Sequence, residues 1–215
     1  MSKTVIAAVT CPHCGGTGRM EVWESINTTM SPEARERMLR GTLFSHRCQA
    51  CGRSFQVLYE CLYHDMERQF MAFFLPERPE DPFAMLERRV GEPILAGYQT
   101  RIVHDVPSLI EKVRIQEDGR DDRAIELCKY VLRCQMGRPD GGEELRYLCA
   151  QEGGLQFYLR SEGESSRLAA REGLYRDVLA RAGDRLSALG ECAGWTGAGR
   201  RLSSPMGFLH RGKES

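Results

Sequence analysis

Apolar positions recur along the chain with two periods, and each period predicts a different element. In SFQVLYE, Phe55, Val57 and Tyr59 alternate with Ser54, Gln56 and Leu58, and YQTRIVH alternates in the same way. A period of two is that of a strand with one face inward. SPEARERMLRG predicts a short helix: Ser31 is placed to cap it, Pro32 suits its first position, Glu33 lies near the positive end of the dipole, and Gly41 stops it. Further on, VPSLIEKVRIQ and DDRAIELCKYVLRCQMG carry apolar residues three and four apart. Pro107 opens the first of these helices, Asp121 or Asp122 opens the second, and Gly137 closes it. ELRYLCAQ and LQFYLRSE flank EGG as a hairpin, with Leu145, Tyr147 and Cys149 alternating on one strand and Leu155, Phe157 and Leu159 on the other. GLYRDVLARAGDRLSAL predicts a last helix.

These elements predict an α+β protein in two halves. A first domain over residues 1–75 is followed by a Pro-rich connector over 76–97, where PERPEDP places prolines at 76, 79 and 82 and favours an extended path. A mixed helix and hairpin half over 98–190 comes next. The small, polar and basic composition of 191–215 predicts a flexible tail.

Lysine plus arginine and aspartate plus glutamate both number 30. With no net charge, the chain has no overall basic field to draw it to nucleic acid or to an anionic membrane surface, so any such contact must be local. The run VIAAV near the N-terminus is too short for the core of a signal peptide, and no stretch approaches a membrane span. A cytoplasmic location is the expectation, and in that reducing compartment nine cysteines point to metal ligands or redox groups rather than disulfides.

The candidate chemistry lies in CPHCGGTG and CQACG, two Cys-x-x-Cys pairs formed by Cys11 with Cys14 and Cys48 with Cys51. Two intervening residues let both thiols of a pair point inward from one tight turn, and four thiolates complete the tetrahedron that zinc prefers. Pro12 fixes the backbone after the first ligand, and Gly15 supplies the positive φ that lets the chain leave the turn. Residues 15–47 separate the pairs, 33 in all, more than the roughly 15 to 20 of a common zinc ribbon. The helix around Ala34 accounts for the excess. A redox dithiol needs one pair at a helix N-terminus, whereas both pairs here lead into glycine and strand. Iron suits the same four sulfurs and stays open as the metal. A closed shell leaves no position for water, so the expected role is structural, in a zinc-ribbon-like antiparallel sheet interrupted by one short helix.

The stretch from CPHCGGTG through VWESINTTMSPEARERMLRGTLFSHRCQACGRSF to LYHDMERQFM resembles the CpXC domain family of prokaryotic proteins, whose name comes from two Cys-Pro-x-Cys pairs. Cys11, Cys14, Cys48 and Cys51 occupy the motif positions, and Gln49 departs from the second proline. The resemblance continues through RIVHDVPSLIEKVRIQEDGRDDRAIEL. It implies a zinc site and assigns no activity.

Other residues have simpler readings. Cys61 and His64 have a Cys-x-x-His spacing without a second pair, and read as a core cysteine and a hydrogen-bonded histidine; a cleft joining His64 to Asp65 would instead favour an enzyme. His13 and His46 flank the knuckles as outer or exposed groups, since four cysteines complete the shell. Cys128, Cys134 and Cys149 read as small core residues. Glu117, Asp118, Asp121 and Asp122 read as groups at helix ends. No phosphate loop, nucleophile elbow or HExxH helix is present in the sequence. The leading expectation is a binding or adaptor module for another macromolecule. Nucleic acid is the runner-up partner, resting on Arg35, Arg37 and Arg40 near Trp23 and Phe44, a cluster that Glu33 and Glu36 dilute.

Overall fold

A computed structural model of the chain describes residues 1–90, 97–139, 142–151, 153–161 and 163–191. It is an α+β protein of two compact units, Met1–Ile110 and Glu111–Ser215. The tail expected over 191–215 lies almost wholly outside the described residues.

Unit 1 is built on a five-stranded sheet in the order β1-β2-β5-β6-β7. Strands β1 (Lys3–Thr10) and β2 (Thr17–Asn27) form an antiparallel hairpin. Only the end of β2, Ser25–Asn27, reaches β5 (Cys61–Asp65), and it does so in parallel. Strand β6 (Phe70–Phe74) returns antiparallel to β5. Its sequence FMAFF is buried at every position, the signature of a strand covered on both faces. Strand β7 (Gln99–Val103) then adds in parallel to β6. The sheet is therefore mixed where the sequence suggested an antiparallel one, and YQTRIVH completes the sheet of the first unit. Parallel neighbours need long crossovers, and residues 28–60 and 75–98 supply them.

The first crossover holds α1 (Pro32–Leu39) and the small antiparallel pair β3 (Ser45–Arg47) and β4 (Ser54–Gln56). SFQVLYE thus yields a much shorter strand than its alternation predicts. Helix α1 turns Ala34 and Met38 inward, both fully buried, and Gly41 ends it at a φ of 71°. Ser31 stands at the N-cap but makes no side-chain cap; its hydroxyl bonds to that of Ser2 at 2.9 Å. The second crossover is not the extended connector its prolines suggested. Pro82 opens α2 (Pro82–Val90), where a missing N–H costs nothing, and Leu86 is buried.

Helix α3 (Val106–Glu117) contains the division between the units. Unit 2 continues with α4 (Asp122–Gln135), the sheet β10-β9-β8 and α5 (Glu172–Glu191). The sheet comprises β8 (Glu144–Gln151), β9 (Gly154–Ser161) and β10 (Glu164–Arg171), all antiparallel. The expected hairpin is its first two strands. The third, ESSRLAAR, escapes a hydrophobic pattern because only Leu168 and Ala170 turn toward the core. Ile125, Cys128 and Leu132 of α4 pack with Leu145, Tyr147, Leu155, Phe157 and Tyr175.

Of the four acids read as helix-end groups, Asp121 caps α4, accepting from the amides of Arg123 and Ala124. Asp122 lies in the first turn of α4, as read, and pairs with Lys112 at 2.8 Å; Asp118, one residue past the end of α3, also accepts from the Tyr147 hydroxyl at 2.6 Å and the Ala150 amide at 2.7 Å. Glu111 accepts from the Tyr147 amide at 2.6 Å. Carboxylates thereby satisfy the N–H groups that an edge strand would leave open. Among the described residues, no helix is long and apolar enough to cross a membrane.

Candidate metal centre

The first knuckle joins β1 to β2 and the second joins β3 to β4, so each hairpin ends in a Cys-x-x-Cys turn. Their backbones follow one pattern. The Cys11 amide donates to Gly16 O at 2.8 Å and the Gly15 amide to Cys11 O at 2.9 Å; the Cys48 amide donates to Arg53 O and the Gly52 amide to Cys48 O, each at 2.9 Å. Gly15 and Gly52 close the turns at φ of 72° and 73°, a region an L side chain enters only with strain. Gln49, where the first knuckle has Pro12, leaves these bonds intact.

The two turns bring four sulfurs together. Cys11 Sγ lies 3.7 Å from Cys51 Sγ, and Cys14 Sγ lies 3.7 Å from Cys48 Sγ. All four lie within 4.8 Å of one another. Sulfurs about 2.3 Å from a tetrahedral ion sit about 3.8 Å apart, so this spacing fits a single ion with little movement. Each close pair joins one cysteine from each knuckle, so an ion held here would tie residues 11–14 to 48–51. Cys11 and Cys48 are buried, while Cys14 and Cys51 lie at the surface.

Gly16 makes room for the cluster. A Cβ there would stand 3.2 Å from Ala50 Cβ and 3.3 Å from Cys14 Sγ. In the sequence, only the doubling of the glycine after Cys14 signals this need.

Hydrogen bonding divides the thiols. Cys48 is pushed down to about 7, chiefly by the Cys51 amide, which outweighs desolvation with help from the Ala50 amide. Cys14 is pushed up to about 12: the Gly16 amide favours its thiolate, but the crowded thiols of Cys51 and Cys48 prevail. The turn thus favours the charged form of Cys48 and disfavours that of Cys14; a cation held by the four sulfurs would favour the thiolate at each of them.

Among the described residues, neither histidine flanking the knuckles joins this group. His13 is exposed. His46 is half-buried edge-on to Phe55 at 5.5 Å, and its Nε2 lies 3.1 Å from where a Cβ on Gly18 would be. The remaining candidates disperse. Cys61 is buried, which pushes its thiol up to about 12. His64 and Asp65 are neighbours on β5 and so face opposite sides of the sheet. Asp65 is engaged by the Arg68 guanidinium at 3.0 Å and amide at 3.1 Å, while His64 packs against Tyr98 with its protonation disfavoured by burial. Cys128 is a core residue, Cys149 is half-buried, and Cys134 is exposed, contrary to its reading as a core group. On α1, Arg40 pairs with Glu36 at 2.9 Å, Arg37 lies 3.7 Å from Glu21 and Arg35 lies 4.0 Å from Glu36. Glu21 and Glu36 thus offset part of the charge of the basic cluster.

A family model described as CpXC protein matches residues 9–129, more than half of the chain. The matched span takes in both knuckles and ends in α4. No curated protein and no solved structure matches the chain.

Proposed function

The chain belongs to the CpXC family, and from that membership and its four converging thiols we propose that it is a zinc-binding protein in which Cys11, Cys14, Cys48 and Cys51 hold one structural ion. The observation that carries this reading is the spacing of the sulfurs, two pairs at 3.7 Å with all four inside 4.8 Å. Zinc bound there would supply a cross-link between the β1–β2 and β3–β4 hairpins. With its shell filled by thiolates it would have no open position for a substrate or a water. The role that follows is that of a binding or adaptor module, its ion fixing the surface around the two knuckles for a macromolecular partner. A reducing, cytoplasmic setting suits four free thiols.

Elemental analysis of reduced, folded protein purified without chelator tests the reading. About one zinc per chain is expected. One iron per chain would keep the site and change its metal, whereas folded protein without either would remove the basis of the proposal.

A further inference from the structure

The outward face of the unit 2 sheet carries cations that the described structure does not neutralise. In the β9–β10 ladder Arg160 faces Ser165, Tyr158 faces Arg167, Gln156 faces Ala169 and Gly154 faces Arg171. The rows extend onto β8, where Glu144 faces Arg160 and Arg146 faces Tyr158. Side chains alternate along strands, so these residues share one side, opposite Leu145, Tyr147, Leu155, Phe157 and Ala170 in the core. Arg146 and Glu144 pair with each other. Arg160, Arg167 and Arg171 are exposed and, among the described residues, pair with no carboxylate.

Tyr158 sits among them. Its hydroxyl shares a 2.8 Å hydrogen bond with Ser165, which draws the half-buried ring diagonally across the β9–β10 pair. Cross-strand neighbours on one face lie about 5 Å apart, and successive residues of one strand on that face lie about 7 Å apart. One aromatic ring is therefore bordered by several cations at short, regular spacing on an open sheet.

We propose that this face binds single-stranded nucleic acid, with Arg160, Arg167 and Arg171 on phosphates and Tyr158 stacked on a base. The charge calls for a polyanion, and the central ring calls for one that carries flat π surfaces. An acidic peptide meets the first requirement only. A duplex hides its base faces in the stack, where the Tyr158 ring could not reach them. The site is separate from the thiol cluster and does not depend on which metal the knuckles hold.

The test is fluorescence anisotropy of full-length protein with labelled mixed-sequence single-stranded RNA and DNA oligonucleotides across a salt series. Wild type should bind with an affinity that falls as salt rises. The triple substitution Arg160→Gln, Arg167→Gln, Arg171→Gln should weaken binding at least tenfold and flatten the logarithmic salt slope by about 2, at about 0.7 per phosphate contact. Tyr158→Ala should lose about tenfold through lost stacking, and Tyr158→Phe should bind like wild type. Arg35→Gln with Arg40→Gln, on α1 and at its C-cap, should change nothing. Matched circular dichroism melts establish that the variants are folded, and should Tyr158→Ala fail that check, the arginine variant decides. Absence of binding by wild type at low salt, or unchanged binding by the triple variant, would overturn the proposal. So would displacement by poly-glutamate at equal charge concentration together with no effect of Tyr158→Ala, which would assign the face to an acidic protein surface.

Discussion

Cys11→Ser and Cys51→Ser are expected to cost the protein its metal alike and to destabilise the same strands, although 40 positions separate them. Their sulfurs lie 3.7 Å apart, and each belongs to a different knuckle, so either substitution opens the same shell. Binding at structural zinc sites contributes about 10–16 kcal/mol in small domains, and a whole domain is stable by only about 5–15 kcal/mol. Unit 1 also has an apolar core, including β6 and the fully buried Phe44, Ile26 and Met38, that is expected to persist without the ion. The loss should therefore fall first on the β1–β2 and β3–β4 hairpins. Hydrogen exchange would read this as lost protection in both hairpins from either variant, and the double mutant should add little to either single one. Half the metal retained in each single mutant, with summed losses in the double, would mean two separate sites, each completed by another copy of the chain or by His13, His46 or Cys61.

Glu111→Ala is expected to lower the stability of unit 2 by about 3–5 kcal/mol, through a mechanism that involves no metal. The Glu111 carboxylate accepts from Lys129 at 2.5 Å and from the Tyr147 amide at 2.6 Å, and the side chains of the ion pair are 6% and 5% exposed. Removing it leaves an ammonium that, among the described residues, only Glu126, at 3.0 Å, still balances, and takes the acceptor from a buried amide. Urea unfolding should place Glu111→Gln between wild type and Glu111→Ala, because the amide oxygen can still accept from Tyr147. Replacing both members, Glu111→Met with Lys129→Met, should cost less than Glu111→Ala, since neither charge is then stranded. Arg40→Ala breaks an exposed pair of similar length and should change stability by no more than about 0.5 kcal/mol.

Those two expectations rest on features of very different legibility. The four cysteines could be placed together from sequence because ligand spacing is local and zinc chemistry fixes what must meet. Helices α1 and α4 announced themselves through Pro32, Gly41 and Asp121, residues whose backbone or side-chain chemistry acts within one turn. Sheet order was not legible in the same way. The strand at Gln99–Val103 reads identically whether it begins a second sheet or completes the first, and its parallel partner, β6, lies across a crossover that includes α2. Strand β10 was hidden because seven of its eight positions turn to solvent or lie only half-buried. The contacts that Glu111 and Asp118 make with the edge of β8 were hidden for a related reason: the partner strand lies some thirty residues away, where no local pattern reveals it. Gly15 was legible as a turn residue, whereas the need for Gly16 to lack a Cβ appears only once Ala50 and the Cys14 sulfur stand against it.

The most direct measurement of the central claim is X-ray absorption at the edge of the metal found in the purified protein. One ion held by Cys11, Cys14, Cys48 and Cys51 predicts a single shell of four sulfurs, at about 2.3 Å if the metal is zinc. A nitrogen or oxygen scatterer at about 2.0–2.2 Å in place of any sulfur would contradict it.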